Sequence, residues 1–317
     1  MSDSHRLRRP LIWVALAALV SNAFIVVTGA TVRLTGSGLG CPTWPKCGDG
    51  SYVPTAEYGI HGIIEFTNRM LVFADVVDVA IPLIAFGLAW LARPRRKPLI
   101  ALSVVLVGGI LLNAVMGGLT VLSGLNPWVV AAHFLPSPAL VVVAYVFWVR
   151  SREAGDGPIQ WLGAQPFRIL AWLLILSAGL TVVIGTVVTG SGPHAGDATA
   201  VRTGLDPAIV SMVHADSAIL LVGLTIAALV AFAAGKAPKA ATKAIAVLFI
   251  VELAQIAIGY TQYFTHLPIV LVAVHVTGAI VLWISALRPL FALRRRGLDV
   301  PPAVETEVPV ELAADRV

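Results

Sequence analysis

The sequence predicts an all-α polytopic membrane protein, with eight transmembrane helices arranged as two tandem pseudo-symmetric four-helix bundles. Three observations lead there. Of 317 residues, 58% are hydrophobic and only 12% are charged, and the mean hydropathy is +0.88, far from the soluble balance. Apolar runs of about 20 residues, the length that crosses the hydrocarbon core of a bilayer, recur along the chain. Short motifs then repeat between its halves.

The spans are drawn at 11–32, 59–92, 99–123, 127–149, 168–189, 207–234, 242–263 and 268–290. Arg6, Arg8 and Arg9 precede the first run, which is long enough to span and lacks a convincing small-residue cleavage site, so it is expected to remain as a helix. The second run is over-long and carries Asp75, Asp78 and Pro82, so its first turns are expected to rise above the hydrocarbon. Eighteen of the 22 Lys and Arg residues fall in the N-terminal tail, in 93–97, 150–168 and 236–243, and from Arg288 onward. By the positive-inside rule both termini are cytoplasmic, in a plasma-membrane protein. The loops 33–58, 124–126, 190–206 and 264–267 then face outward, with Trp128 at an outer helix end and Trp90 and Trp148 at inner ones. The net charge of +5 sits in these short clusters. It therefore reports orientation, and nucleic-acid binding is excluded.

Thr35-Gly-Ser-Gly38 after the first helix recurs as Thr189-Gly-Ser-Gly192 after the fifth, and Val130-Ala-Ala-His133 resembles Val272-Ala-Val-His275. The expected units are residues 1–150, an N-terminal bundle, and 151–296, a C-terminal bundle related to it in parallel. Residues 297–317 contain Pro301, Pro302 and several acids without an apolar period, and read as a disordered cytoplasmic tail.

The second span opens with four strongly polar side chains. At about 100° per residue, His61, Glu65 and Asn68 share a helical face, with Arg69 at its edge. That face must look into protein, since a lipid-facing charge costs roughly 2.5 kcal/mol or more. Either the cluster is functional or it is an interhelical Glu–Arg pair that holds helices together.

His133, His214 and His275 lie about two turns into helices 4, 6 and 8 and follow Pro127, Pro207 and Pro268 by six or seven residues. Imidazoles from facing helices suit the two axial positions of a haem iron, whereas no Cys, His and carboxylate cluster has zinc spacing. The second bundle thus offers a complete pair, His214 with His275. In the first, the proline interval makes His61 the fourth ligand, while depth favours Asn68, a poor haem ligand. Cys41 and Cys47, the only cysteines, lie in the first outer loop. They form a structural disulfide or a redox-active pair.

The loop from Thr35-Gly-Ser-Gly-Leu-Gly-Cys41 through Trp44-Pro-Lys-Cys47, the segment Ile63-Ile-Glu65-Phe-Thr-Asn68-Arg69, and Asn126-Pro-Trp-Val-Val-Ala-Ala-His133 resemble the haem A synthase family. The similarity runs from about residue 11 to 290. It implies oxidation of the C8 methyl group of haem O to a formyl group, giving haem A for a terminal oxidase. It implies haem b on His214 and His275, a substrate haem on His133, Glu65 as the catalytic carboxylate beside Arg69, and a Cys41–Cys47 disulfide. One departure stands out. The family commonly has Glu-x-x-His-Arg, and here Asn68 takes the histidine position, with His61 as the candidate replacement. Expected partners are haem O, haem A, a haem O synthase, an electron donor and the lipid bilayer, with a homo-oligomer left open. The alternatives are a dihaem quinol-handling cytochrome and, less favoured, a transporter with a parallel repeat.

Overall fold

The computed structural model describes residues 3–48, 50–73, 76–92 and 95–297. Its helices are α1 (Asp3–Leu34), α2 (Gly59–Phe73), α3 (Val76–Leu91), α4 (Lys97–Leu122), α5 (Pro127–Phe134), α6 (Pro136–Arg152), α7 (Gln165–Ser191), α8 (Pro207–Ala234), α9 (Lys239–Phe264) and α10 (Ile269–Ala292). Among the described residues seven stretches are long and apolar enough to cross a membrane, α5 and α6 counting as one, and Ala80–Leu91 is a shorter apolar helix. The expected second span therefore comes as α2 and α3. Asp75 and the side chain of Asp78 lie outside the described residues, as does the tail beyond Gly297.

Helix starts follow from local chemistry. Asn126 and Asp206 each precede a proline and cap the helix behind it: Asn126 Oδ1 accepts from Trp128 N at 3.0 Å, and Asp206 Oδ1 from Ala208 N at 2.8 Å. The single span expected at 127–149 divides at Leu135, because Pro136 has no N–H to continue the ladder.

Helices α7, α8, α9 and α10 close a ring in which each touches the next and α10 returns to α7; α1, α3, α4 and α6 close another. In the second ring this sets α8 across from α10. The rings meet where α10 packs on α1 and α6, and Trp283 Nε1 donates to Pro138 O at 3.0 Å. One buried apolar cluster runs through both, including Leu11, Leu106, Phe147, Leu174, Leu221 and Leu248.

The loops gather at two ends. At one, Gly38 N donates to Gly196 O at 2.7 Å, Arg33 Nε to His194 O at 2.7 Å, and His194 Nε2 lies 2.9 Å from Leu267 O. At the other, β1 (Ile159–Trp161) pairs antiparallel with β2 (Arg294–Arg296). There Arg96 and Arg150 both bond Asp156, at 2.8 and 2.6 Å, and Arg294 bonds Glu153 at 3.2 Å. The grouping of basic segments inferred from charge thus corresponds to physical contact at one end of the molecule.

Candidate functional site

In the second ring the buried positions of each helix run from the basic end up to Ala178 on α7, Ser217 on α8, Gln255 on α9 and Ile280 on α10; beyond these only Gly190 and Ser191 are buried. The loop-end half of the ring is therefore not closed by side-chain packing, unlike an ordinary protein interior. His214 and His275, both half-buried, stand in that half. Their ring centroids are 6.4 Å apart with planes at 78°. A metal–imidazole bond of about 2 Å, plus roughly 1 Å from nitrogen to centroid, would put two imidazoles on opposite sides of one metal about 6 Å apart. Nδ1 of each is buried without a hydrogen-bond partner. The residues fit a haem iron held between them. No group of three or more His, Cys, Asp or Glu side chains suited to a metal ion occurs among the described residues, so the arrangement offers paired ligands rather than a polydentate cage.

Each imidazole also rests on a glycine of the preceding long helix. A Cβ at Gly185 would stand 3.2 Å from His214 Cε1, one at Gly117 would stand 3.2 Å from His133 Cε1, and one at Gly259 would stand 3.5 Å from His275 Cε1. Sequence reasoning missed these glycines. The signal was available: Gly117 to His133 and Gly259 to His275 are both intervals of sixteen residues.

On α5, which packs on α4 and α6 of the first ring, His133 is half-buried, with Nδ1 buried and unpartnered. Asn68 Oδ1 is likewise buried without a partner. One turn inward from His133, Asn113 Nδ2 donates to Ser137 Oγ at 3.0 Å. His61 is exposed, and its Nδ1 lies 2.9 Å from Ser37 Oγ. It lines a cleft of about 400 Å³ with Gly36, Tyr58 and Asp197, where loops of both halves meet.

Glu65 and Arg69 form an ion pair within α2, and not the interhelical pair that was the structural alternative. Their remaining bonds go to the cysteine loop. Cys41 N donates to Glu65 Oε2 at 2.6 Å. Arg69 donates to the carbonyls of Cys41 and Thr43, each at 2.8 Å, and of Lys46 at 3.1 Å. Only 4% of Glu65 is exposed. Cys41 and Cys47 are joined by a disulfide and both are buried. Close approach of this loop to α2 requires Gly40, where a Cβ would meet His61 O at 2.2 Å. Trp44 of the loop packs on Gly118, the neighbour of the glycine under His133. The loop is thereby tied to α2 by charge and to the histidine layer by packing.

A family model described as cytochrome oxidase assembly protein matches residues 12–287. Among curated relatives, the haem A synthase of Staphylococcus epidermidis is 29% identical over 187 residues, 57% of this chain and 59% of that protein. That of Staphylococcus saprophyticus is 30% identical over 188 residues, with the same shares, and that of Staphylococcus aureus is 28% identical over 187. The chain thus spans 59% of the length of these relatives.

Proposed function

The chain belongs to the family of cytochrome oxidase assembly proteins (COX15-CtaA), and on that premise we propose that it is a haem A synthase, oxidising the C8 methyl group of haem O to a formyl group. The observation that carries this is the facing pair His214 and His275 in a duplicated, multi-pass membrane protein of that family. Residues 1–150 form the unit that receives the substrate haem and 151–296 the unit that holds haem b. The disulfide end faces outward from the plasma membrane and both termini are cytoplasmic, which the clustered basic residues support.

A haem b on His214 and His275 would supply one-electron redox chemistry. The other steps belong to the chain. His133 would ligate the iron of the substrate haem, with His61 as the candidate second ligand and Asn68 at the family's histidine position. Converting a methyl group to an aldehyde removes protons as well as electrons, and Glu65 is the candidate acceptor in a largely apolar site, with Arg69 as its counter-charge. Holding a water, or stabilising positive charge that develops at the oxidised carbon, is the alternative role of the same carboxylate. An electron donor, a haem O synthase and haem A itself complete the expected partners.

One observation favours a second reading of Glu65. Both its oxygens are engaged, by Arg69 and by Cys41 N, so the pair also clamps the disulfide loop. Glu65→Gln separates the two: a catalytic carboxylate accumulates haem O or a hydroxylated intermediate while the His214–His275 spectrum persists, and a clamp alone loses protein but retains much of the haem A made per molecule. Expression in a host that makes haem O but no haem A, followed by pigment extraction, tests the function. Haem A with haem B is expected; haem B alone would mark an electron-transfer cytochrome, and no haem a transporter.

A further inference from the structure

Glu252 lies on the floor of the histidine half of the second ring. It is 2% exposed. Thr225 Oγ1 donates to its Oε1 at 2.7 Å, and Oε2 is buried with no partner. Seven residues separate it from Gly259, about 10 Å along α9 on nearly the same face. A Cβ at Gly259 would stand 3.5 Å from His275 Cε1. The sixteen-residue interval that equates Gly117 with Gly259 equates Ile110 with Glu252, and Ile110 is buried in the first ring. An aliphatic side chain therefore satisfies helix packing at this position, and a half-satisfied carboxyl is a costly substitute. Intramembrane acids retained at such cost commonly relay protons.

The other ionisable groups of the ring are Arg168 on α7, His214 and the exposed Asp216 on α8, Lys239, Lys243, Tyr260 and Tyr263 on α9, and His275 and Arg288 on α10. Among the described residues none of them bonds Glu252, so the charge to which it would respond is that of a haem iron that His214 and His275 would hold. We propose that Glu252 is a redox-linked proton site of the second ring, binding a proton when a haem held by His214 and His275 is reduced and releasing it on reoxidation. This rests on the haem b reading above. One electron enters the iron from an external reductant, one proton from water bonds the carboxylate, and both leave on oxidation. At a separation of about 10 Å and an effective dielectric near 20, a unit charge change would alter the proton affinity of a carboxyl roughly tenfold.

The test is redox titration of haem b in the purified full chain across a pH series. The wild-type midpoint potential should fall as pH rises, Glu252→Gln should lose that slope, and Thr225→Val should retain it. Equal slopes in wild type and Glu252→Gln, or no slope in wild type, would overturn the proposal. If Glu252→Gln does not accumulate, reduced-minus-oxidised infrared spectra of the wild type decide: a protonated carboxyl stretch that appears on reduction and shifts in D2O supports it, and its absence overturns it. A protein without haem b would overturn the functional reading as well, whereas haem b with unaltered slopes would sink this inference alone.

Discussion

The two rings share a plan and differ where chemistry is expected. In the second, His214 and His275 stand on helices that face each other across the ring, each backed by a glycine. In the first, His133 keeps its glycine, Asn68 and His61 stand on α2 with His61 at the loop end, and Trp44 of the cysteine loop packs on Gly118 beside that glycine. On the proposed reading, one copy would keep two ligands for a resident haem, and the other would give up that symmetry for a substrate site beside the cysteine loop.

Removing His214 or His275 should break this contrast most. Either change to Ala leaves one imidazole, so the low-spin haem b signal in reduced-minus-oxidised spectra should be lost, and an unchanged spectrum after both changes would end the assignment. Within the first ring, His61→Ala should alter the spectrum of the substrate haem while Asn68→Ala leaves it nearly intact. The opposite pattern would return the second ligand to the depth of the other histidines, where Asn68 Oδ1 lies without a partner.

A smaller effect is expected from the loop that only the first half carries. Replacing Cys41 and Cys47 by Ser should cost about 2 kcal/mol, the chain-entropy value for so short a closed loop, read as a lower thermal midpoint. Thiol labelling of the denatured, unreduced wild type should find neither cysteine free. Loss of haem A formation at unchanged stability would instead give the pair a redox role. The smallest effect should come from the glycine backings. Gly185→Ala must push the His214 ring by a few tenths of an ångström, a strain of about 0.5–1.5 kcal/mol if the ring leaves its rotamer well, and should shift the electron paramagnetic resonance anisotropy of haem b. Gly259→Ala, at ordinary contact distance, should leave it unchanged. Equal shifts from both would refute a contact-specific effect.

Sequence by itself determined the membrane class, the grouping of loops at two ends, the duplication and the common depth of three histidines, because hydropathy, charge and periodicity are local properties of a chain in a bilayer. It also placed the two cysteines in one loop at one end. It did not determine that α8 lies across from α10, which is what turns His214 and His275 from two membrane histidines into a pair 6.4 Å apart; only the order of helices around the ring does that. Nor could it find the acceptor role of Glu65 toward Cys41 N, because the donor sits 24 residues away in a loop without periodicity. Glu252 reads in sequence as one acid in an apolar run. Its burial and its unpartnered oxygen exist only once α8 and α9 close over it, since burial is a property of neighbours that the chain brings together from a distance.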